Sequence, residues 1–221
     1  MHRLALVLAL TSACVAGTGD EGFNIVNNLS PGENCALTPG GAFLARGIID
    51  KQSLSPYVFT PEFVSRISAE GSDFQRTIAL RGANIEVTNA QTGASLGKFK
   101  SLFAASLSPL GKTTAAFDVI TPAMLEASGA VGTTRVQLVA KITAFGALGG
   151  GDNIDGVPFE YPVTVCDACV VNNLGPCPLD AGTIVPTSGI NGCNVSQDGN
   201  PQCCMGPSGP VCPATVTAAV R

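Results

Sequence analysis

Between Thr134 and Ala144 every second residue is apolar: Val136, Leu138, Ala140, Ile142 and Ala144 fall on one side, with Arg135, Gln137, Lys141 and Thr143 on the other. This period of two predicts a half-buried strand. The period returns in Val157, Phe159, Tyr161, Val163 and Val165, where the intervening Pro158 and Pro162 lack N–H groups and predict a strand at a sheet edge. In Ile78 and Leu80, then Ile85 and Val87, the apolar phase changes parity around Arg81-Gly82, which predicts a bulge or a bend between sheets. Phe99, Phe103 and Leu107, the Pro109-Leu110-Gly111 turn, and Ala115, Phe117 and Val119 read as a hairpin. One helix is predicted. Thr121 caps it, Pro122 takes the first helical position, Met124 and Leu125 supply apolar contacts, and Gly129 ends it.

Together these segments predict an all-β fold: a single Ig-like β-sandwich over residues 42–170, with roughly six or seven strands, one short connector helix and a disulfide-rich C-terminal tail. No internal repeat points to a solenoid or a propeller. Before residue 42 the period is lost. Residues 14–41 carry Gly17, Gly19, Gly22, Pro31, Gly32, Pro39, Gly40 and Gly41 and read as a lipid anchor and tether. Residues 171–221 shift to Asn, Gly, Pro, Ser and Cys. They read as a Cys-rich tail packed on the sandwich, too poor in large apolar side chains to be ordered without cross-links.

Residues 1–13 read as a lipoprotein signal peptide. Met1, His2 and Arg3 are followed by the apolar run Leu4 to Leu10 and then by Thr11, Ser12 and Ala13 directly before Cys14. The run rises only about 10 Å as a helix, against a hydrocarbon core of roughly 30 Å, so it is too short to span a membrane. Leu10 to Cys14 resembles the bacterial lipobox, whose cysteine is diacylated, although Thr11 stands where that pattern prefers Leu. Val15 after Cys14, by resemblance to sorted lipoproteins, implies the outer membrane. The alternative is ordinary cleavage after Ala13 or Ala16, giving a secreted or periplasmic protein.

Composition narrows the chemistry. The chain has 221 residues, 45% of them hydrophobic, and a formal charge of −4. It is long and apolar enough to bury a sizeable core. With 13% charged residues and no basic cluster, it lacks the electrostatic footprint of a nucleic-acid binder. Its one histidine, His2, lies in the segment read as removed. A mature chain without imidazole excludes Ser-His-Asp and Cys-His catalysis and histidine-based zinc or iron sites.

There are nine cysteines. Setting Cys14 aside leaves Cys35, Cys166, Cys169, Cys177, Cys193, Cys203, Cys204 and Cys212, an even set that reads as disulfides in an exported chain. All but Cys35 lie in the C-terminal part, so at least one bridge must run from Cys35 to that cluster. Closing so long a loop is worth roughly 4 to 5 kcal/mol in the chain-entropy picture. The connectivity is open at this point. Zinc bound by Cys166, Cys169, Cys203 and Cys204 is disfavoured by the adjacent pair and by an oxidising setting. A thioredoxin-like role for Cys166-Asp167-Ala168-Cys169 is disfavoured because a turn, not a helix, follows.

Asp152, Asn153 and Asp155, in the loop Gly149 to Gly156, form a weak calcium candidate. No bidentate Glu follows at EF-hand spacing, and a polar hairpin loop accounts for the same residues. Asp50, Glu62, Glu86, Asp118 and Glu160 fall in or beside predicted strands, yet nothing in their spacing selects a glycosidase-like pair. Tyr57 and Tyr161 are the only tyrosines and there is no tryptophan, which leaves little for a sugar-stacking platform unless one of these tyrosines lines an exposed groove.

The order of certain segments resembles predicted cysteine-rich surface lipoproteins of myxobacteria and related bacteria. These are Cys35 to Gly41, Arg46 to Asp50, Tyr57 to Pro61, Tyr161 to Cys169, Gln197-Asp198, Cys203-Cys204 and Cys212-Pro213. The resemblance implies a location and a fold but no activity. The reading is a non-enzymatic lipoprotein anchored in the outer membrane, of structural or adhesive type. It needs no cofactor and no metal, contacts the membrane through its lipid, and meets an envelope protein or a glycan; a small-molecule or glycan binding module is the alternative. The sequence does not specify the partner, the bridge connectivity or the oligomeric state.

Overall fold

The computed structural model describes residues 22–32, 35–53, 55–69, 76–132, 134–167, 169–170, 172–176, 193, 197–198, 202–206 and 209–211. The predicted signal peptide, Cys14, Cys177 and Cys212 lie outside them. The strands, in chain order, are β1 (Phe23–Asn28), β2 (Gly47–Asp50), β3 (Tyr57–Phe59), β4 (Pro61–Ser65), β5 (Ile78–Asn89), β6 (Ser95–Leu107), β7 (Lys112–Thr114) and β8 (Phe117–Ile120). After helix α1 (Pro122–Ala127) come β9 (Val136–Leu148), β10 (Asn153–Asp155), β11 (Phe159–Cys166), β12 (Asn172–Pro176), β13 (Gln202–Gly206) and β14 (Gly209–Val211). The protein is all-β apart from α1 and a 3-10 turn at Lys51–Ser53.

A six-stranded sheet has the order β2-β11-β9-β5-β6, with β10 also on β9. Against it lie the sheet β1-β4-β7 and the pair β3-β8. β12-β13-β14 form a separate small sheet. One core cluster joins the first two of these layers: Phe23, Ile25 and Phe63 from one side, Ile85, Leu138 and Val163 from the other. Aromatic rings link the layers. Phe23 meets Phe63, Phe63 meets Phe103, Phe103 stacks on Phe117, and Phe117 meets Phe59, which touches both Phe159 and Tyr161. Each pair adds about 0.5–1.5 kcal/mol beyond its buried area.

Several expectations hold. The β9 alternation buries Leu138, Ala140, Ile142 and Ala144. The parity change is a bulge, with the register shifting between Leu80 and Gly82 against both neighbours. The Thr121 hydroxyl accepts the Met124 N–H at 3.4 Å, Met124 and Leu125 are buried, and Gly129 follows the helix at φ +80, which costs a glycine nothing.

Three expectations are corrected. Residues 23–28 belong to no tether. They form β1, paired with β4, and bury Phe23, Ile25 and the following Leu29. Their short apolar run between glycines hid the period. Second, β11 is not an edge strand throughout: β9 lies on one side, and β2 joins the other in parallel from Val163 to Cys166. Pro158 precedes the strand and Pro162 sits one residue before the β2 ladder begins, so neither missing N–H interrupts it. The prolines mark the uncovered half only. Third, Phe99 to Val119 is not a hairpin. The chain does turn at Ser108 to Gly111, but β7 then pairs with β4 and β8 with β3, whereas β6 pairs with β5. Phe103 and Phe117 do meet, with centroids 4.4 Å apart and planes at 8°, but across the layers and not across a ladder.

If β1 is part of the core, Phe23→Ala should lower unfolding stability by about 3–5 kcal/mol, as for other buried Phe side chains. Denaturant titration of the oxidised protein measures it. A loss below about 1 kcal/mol would return residues 23–28 to the tether.

Candidate functional site

The first distinctive site is internal. β1 ends at Asn28, β3 opens with Tyr57 and β11 carries Tyr161, all buried. Alternation pointed Tyr161 inward, the structure buries Tyr57 as well, and each then needs a partner for its hydroxyl. Asn28 supplies it: Nδ2 donates to Tyr161 Oη at 2.7 Å and to Tyr57 Oη at 3.5 Å, while Oδ1 accepts the Thr60 N–H at 2.9 Å. The two tyrosine hydroxyls are 3.2 Å apart, and Tyr57 donates to Asp198 Oδ2 at 2.7 Å. Since that bond takes the single Tyr57 hydroxyl proton, Tyr161 donates to Tyr57. The result is a one-way chain from Asn28 through both phenols to a carboxylate, in which each bond polarises the next. Burial, with the Asp198 charge behind it, raises Tyr57 well above the ordinary tyrosine value, and burial pushes Tyr161 up to about 12. Both remain neutral hydroxyls.

Gln197 and Asp198 come from the far C-terminal region and dock on β2 and β3. The Gln197 amide accepts the Val58 N–H at 2.8 Å and donates to the Val58 carbonyl, imitating a neighbouring strand. Asp198 accepts the Ile48 N–H at 2.8 Å and its own N–H donates to the Ile48 carbonyl at 2.9 Å. Two residues thus satisfy the open edges of β2 and β3. Cys35–Cys193 anchors the segment a few residues earlier, with Cα atoms 5.3 Å apart. The bridge from Cys35 to the C-terminal cluster is therefore formed. The second bridge joins Cys166 to Cys169. Cys203 and Cys204 are consecutive residues of β13. Beside the second bridge, Asp167 accepts from the Gly132 N–H and from Gln52 and lies 3.3 Å from Lys51, which together hold its carboxyl below the usual range.

The sequence-predicted candidates are dispersed. Asp152 is in the turn between β9 and β10, Asn153 and Asp155 are in β10, and all are exposed; the loop is a hairpin. Among the described residues no group of three His, Cys, Asp or Glu side chains is placed to hold a metal ion. Asp50 is buried and caps Gln52 N–H. Glu62 is buried, accepts the Gly40 N–H at 2.7 Å and lies 3.2 Å from Lys112. Asp118, in β8, is raised by burial. Glu86 and Glu160 share the outer face of the large sheet, where Lys141 stands between them in register. Tyr57 and Tyr161 line no exposed groove: they are 0% and 1% exposed, so the sugar-stacking reading built on them is overturned.

The second site is external and was not anticipated. On the outer face of the six-stranded sheet an open depression of about 470 Å³ is lined by Asn84, Ile85, Glu86, Lys98, Phe99, Lys141 and Thr143. Its polar residues were legible as the polar halves of alternating strands; their convergence depends on register. The chain matches no family model and no curated protein.

Asp198 yields a prediction. Burial raises its carboxyl against the opposing Tyr57, Ile48 and Gln197 hydrogen bonds. The folded protein therefore keeps this proton to higher pH than the unfolded chain does. The stability so gained is present below the ordinary carboxylate range and is lost as pH rises through the raised value. Asp198→Asn should cost about 1–3 kcal/mol, because an amide cannot accept at both oxygen positions. The advantage of wild type over this variant should shrink from about pH 4 to pH 7 in thermal melts. An advantage that grows over that interval sinks this account.

Proposed function

We propose that this is an exported envelope protein, lipid-anchored at Cys14 in the outer membrane, whose Ig-like sandwich is displayed for structural or adhesive contact and performs no catalysis. The observation that carries this reading is the Cys35–Cys193 bridge, whose ends are 158 positions apart in the sequence. A cross-link of that span needs an oxidising compartment to persist and adds about 5 kcal/mol in the chain-entropy picture.

The finer fold assignment rests on strand order. An early strand, β2, lies beside the last strand of the large sheet, β11, followed by β9, β5 and β6, while β1, β4 and β7 make the opposite layer. This agrees with the G-F-C-C′ and A-B-E arrangement of Ig-like domains. The interior supports display over catalysis, since Asn28, Tyr57, Tyr161 and Asp198 are spent on one another. The resemblance to predicted myxobacterial surface lipoproteins agrees with both location and fold.

Cells fed an alkyne fatty acid should label the wild-type protein and not Cys14→Ser, which should move to the soluble fraction. Labelling that survives the substitution, or wild type found wholly in the medium, refutes the anchor. Independently, the exported protein should resist alkylation at Cys35 and Cys193 until it is reduced, and free thiols there would refute the oxidised framework.

A further inference from the structure

We propose that the outer face of the six-stranded sheet binds an acidic saccharide, a sugar polymer bearing carboxylates. This names a partner for the display role above and rests on it. Register places Lys98 of β6, Glu86 of β5, Lys141 of β9 and Glu160 of β11 in one row across four strands. The next row holds Lys100, Asn84 and Thr143. Lys98 lies 2.9 Å from Glu86 and neutralises it. Among the described residues neither Lys100 nor Lys141 has a carboxylate within ion-pair distance. Lys100 Nζ instead sits 5.0 Å from the centre of the Phe145 ring.

This arrangement suits one ligand chemistry. Lys98 and Lys141 stand two strand spacings apart, about 10 Å, and Lys98 and Lys100 about 7 Å apart along one strand. Carboxylates spaced along a polymer can meet Lys100 and Lys141, and can compete with Glu86 for Lys98. Between the lysines, Glu86, Asn84 and Thr143 offer the acceptors and donors that sugar hydroxyls require. Phe145 and the 73% exposed Leu102 border the floor with apolar surface for the C–H faces of a sugar ring. A chain of charge −4 does not attract polyanions in general, so the attraction is local to this patch. The side chains are exposed, and their removal leaves the core untouched.

The test uses the full oxidised chain and polygalacturonate, with dextran and polyglutamate as controls, by calorimetry or biolayer interferometry at low and high salt. Polygalacturonate should bind, more weakly as salt rises, and dextran should not. Lys98→Gln/Lys100→Gln/Lys141→Gln should lower the affinity by about tenfold or more with the melting temperature unchanged. Absence of polygalacturonate binding, binding indifferent to the triple variant, or equal binding of polyglutamate overturns the proposal. Lipid labelling at Cys14 is read separately, so failure of this site and failure of the envelope assignment are distinguishable.

Discussion

The hydrogen-bonded chain from Asn28 through Tyr161 and Tyr57 to Asp198 joins parts of the molecule that no single sheet connects. Asn28 closes β1, Tyr57 opens β3, Tyr161 lies in β11 and Asp198 arrives from the far end of the sequence. Buried phenols without partners would each cost several kcal/mol, so the fold can place tyrosines here only if all of these elements arrive together. The surrounding sequence is shaped by the same constraint. At Gly47 a Cβ would overlap the Tyr57 ring, at 2.5 Å from Cζ and 2.7 Å from Cε2, and that ring cannot retreat because its hydroxyl is held from two sides. Glycine at the start of β2 is what lets the phenol reach Asp198.

The two disulfides constrain different segments beside this cluster. Cys35–Cys193 limits how far the segment before Gln197 can stray in the unfolded chain, which lowers the entropy lost when Gln197 and Asp198 dock. Cys166–Cys169 closes a short loop just where β11 leaves its ladder with β2. The long bridge therefore supplies most of the entropic effect and the short one fixes a local path. Docking in turn satisfies the backbone groups of Ile48 and Val58 that would otherwise leave two strand edges open to other chains.

How much of this was legible follows from the range of each signal. Period-two alternation is local, and it found β5, β9 and β11, the bulge at Arg81-Gly82 and the caps of α1. Pairing is not local. The pattern of Phe103 and Phe117 shows that both point inward but not whether they face across a ladder or across the core, and the second is what the chain chose. β1 was missed because its six residues include three asparagines; one of them, Asn28, is buried for its side-chain chemistry and so breaks the apolar period. Gln197 and Asp198 carried no periodicity at all. They drew notice only through the resemblance, whose quoted segments around Gly47, Tyr57, Tyr161 and Gln197 are the ones that meet in the cluster.

The same geometry decides where an external partner can bind. The tyrosines that would have served a stacking platform are hydrogen-bonded in the interior. On the solvent side of the large sheet the strand register converts separate, unremarkable polar positions into ordered rows. Lys98 and Lys141 are 43 positions apart in the sequence but flank one glutamate, because β5 pairs with both β6 and β9. A rigid antiparallel sheet holds such rows at fixed spacing with little entropy left to lose on binding. The buried cluster that locks β2, β3 and β11 thereby also stiffens the surface on the opposite side, since β11 and β9 belong to the sheet that carries the lysines.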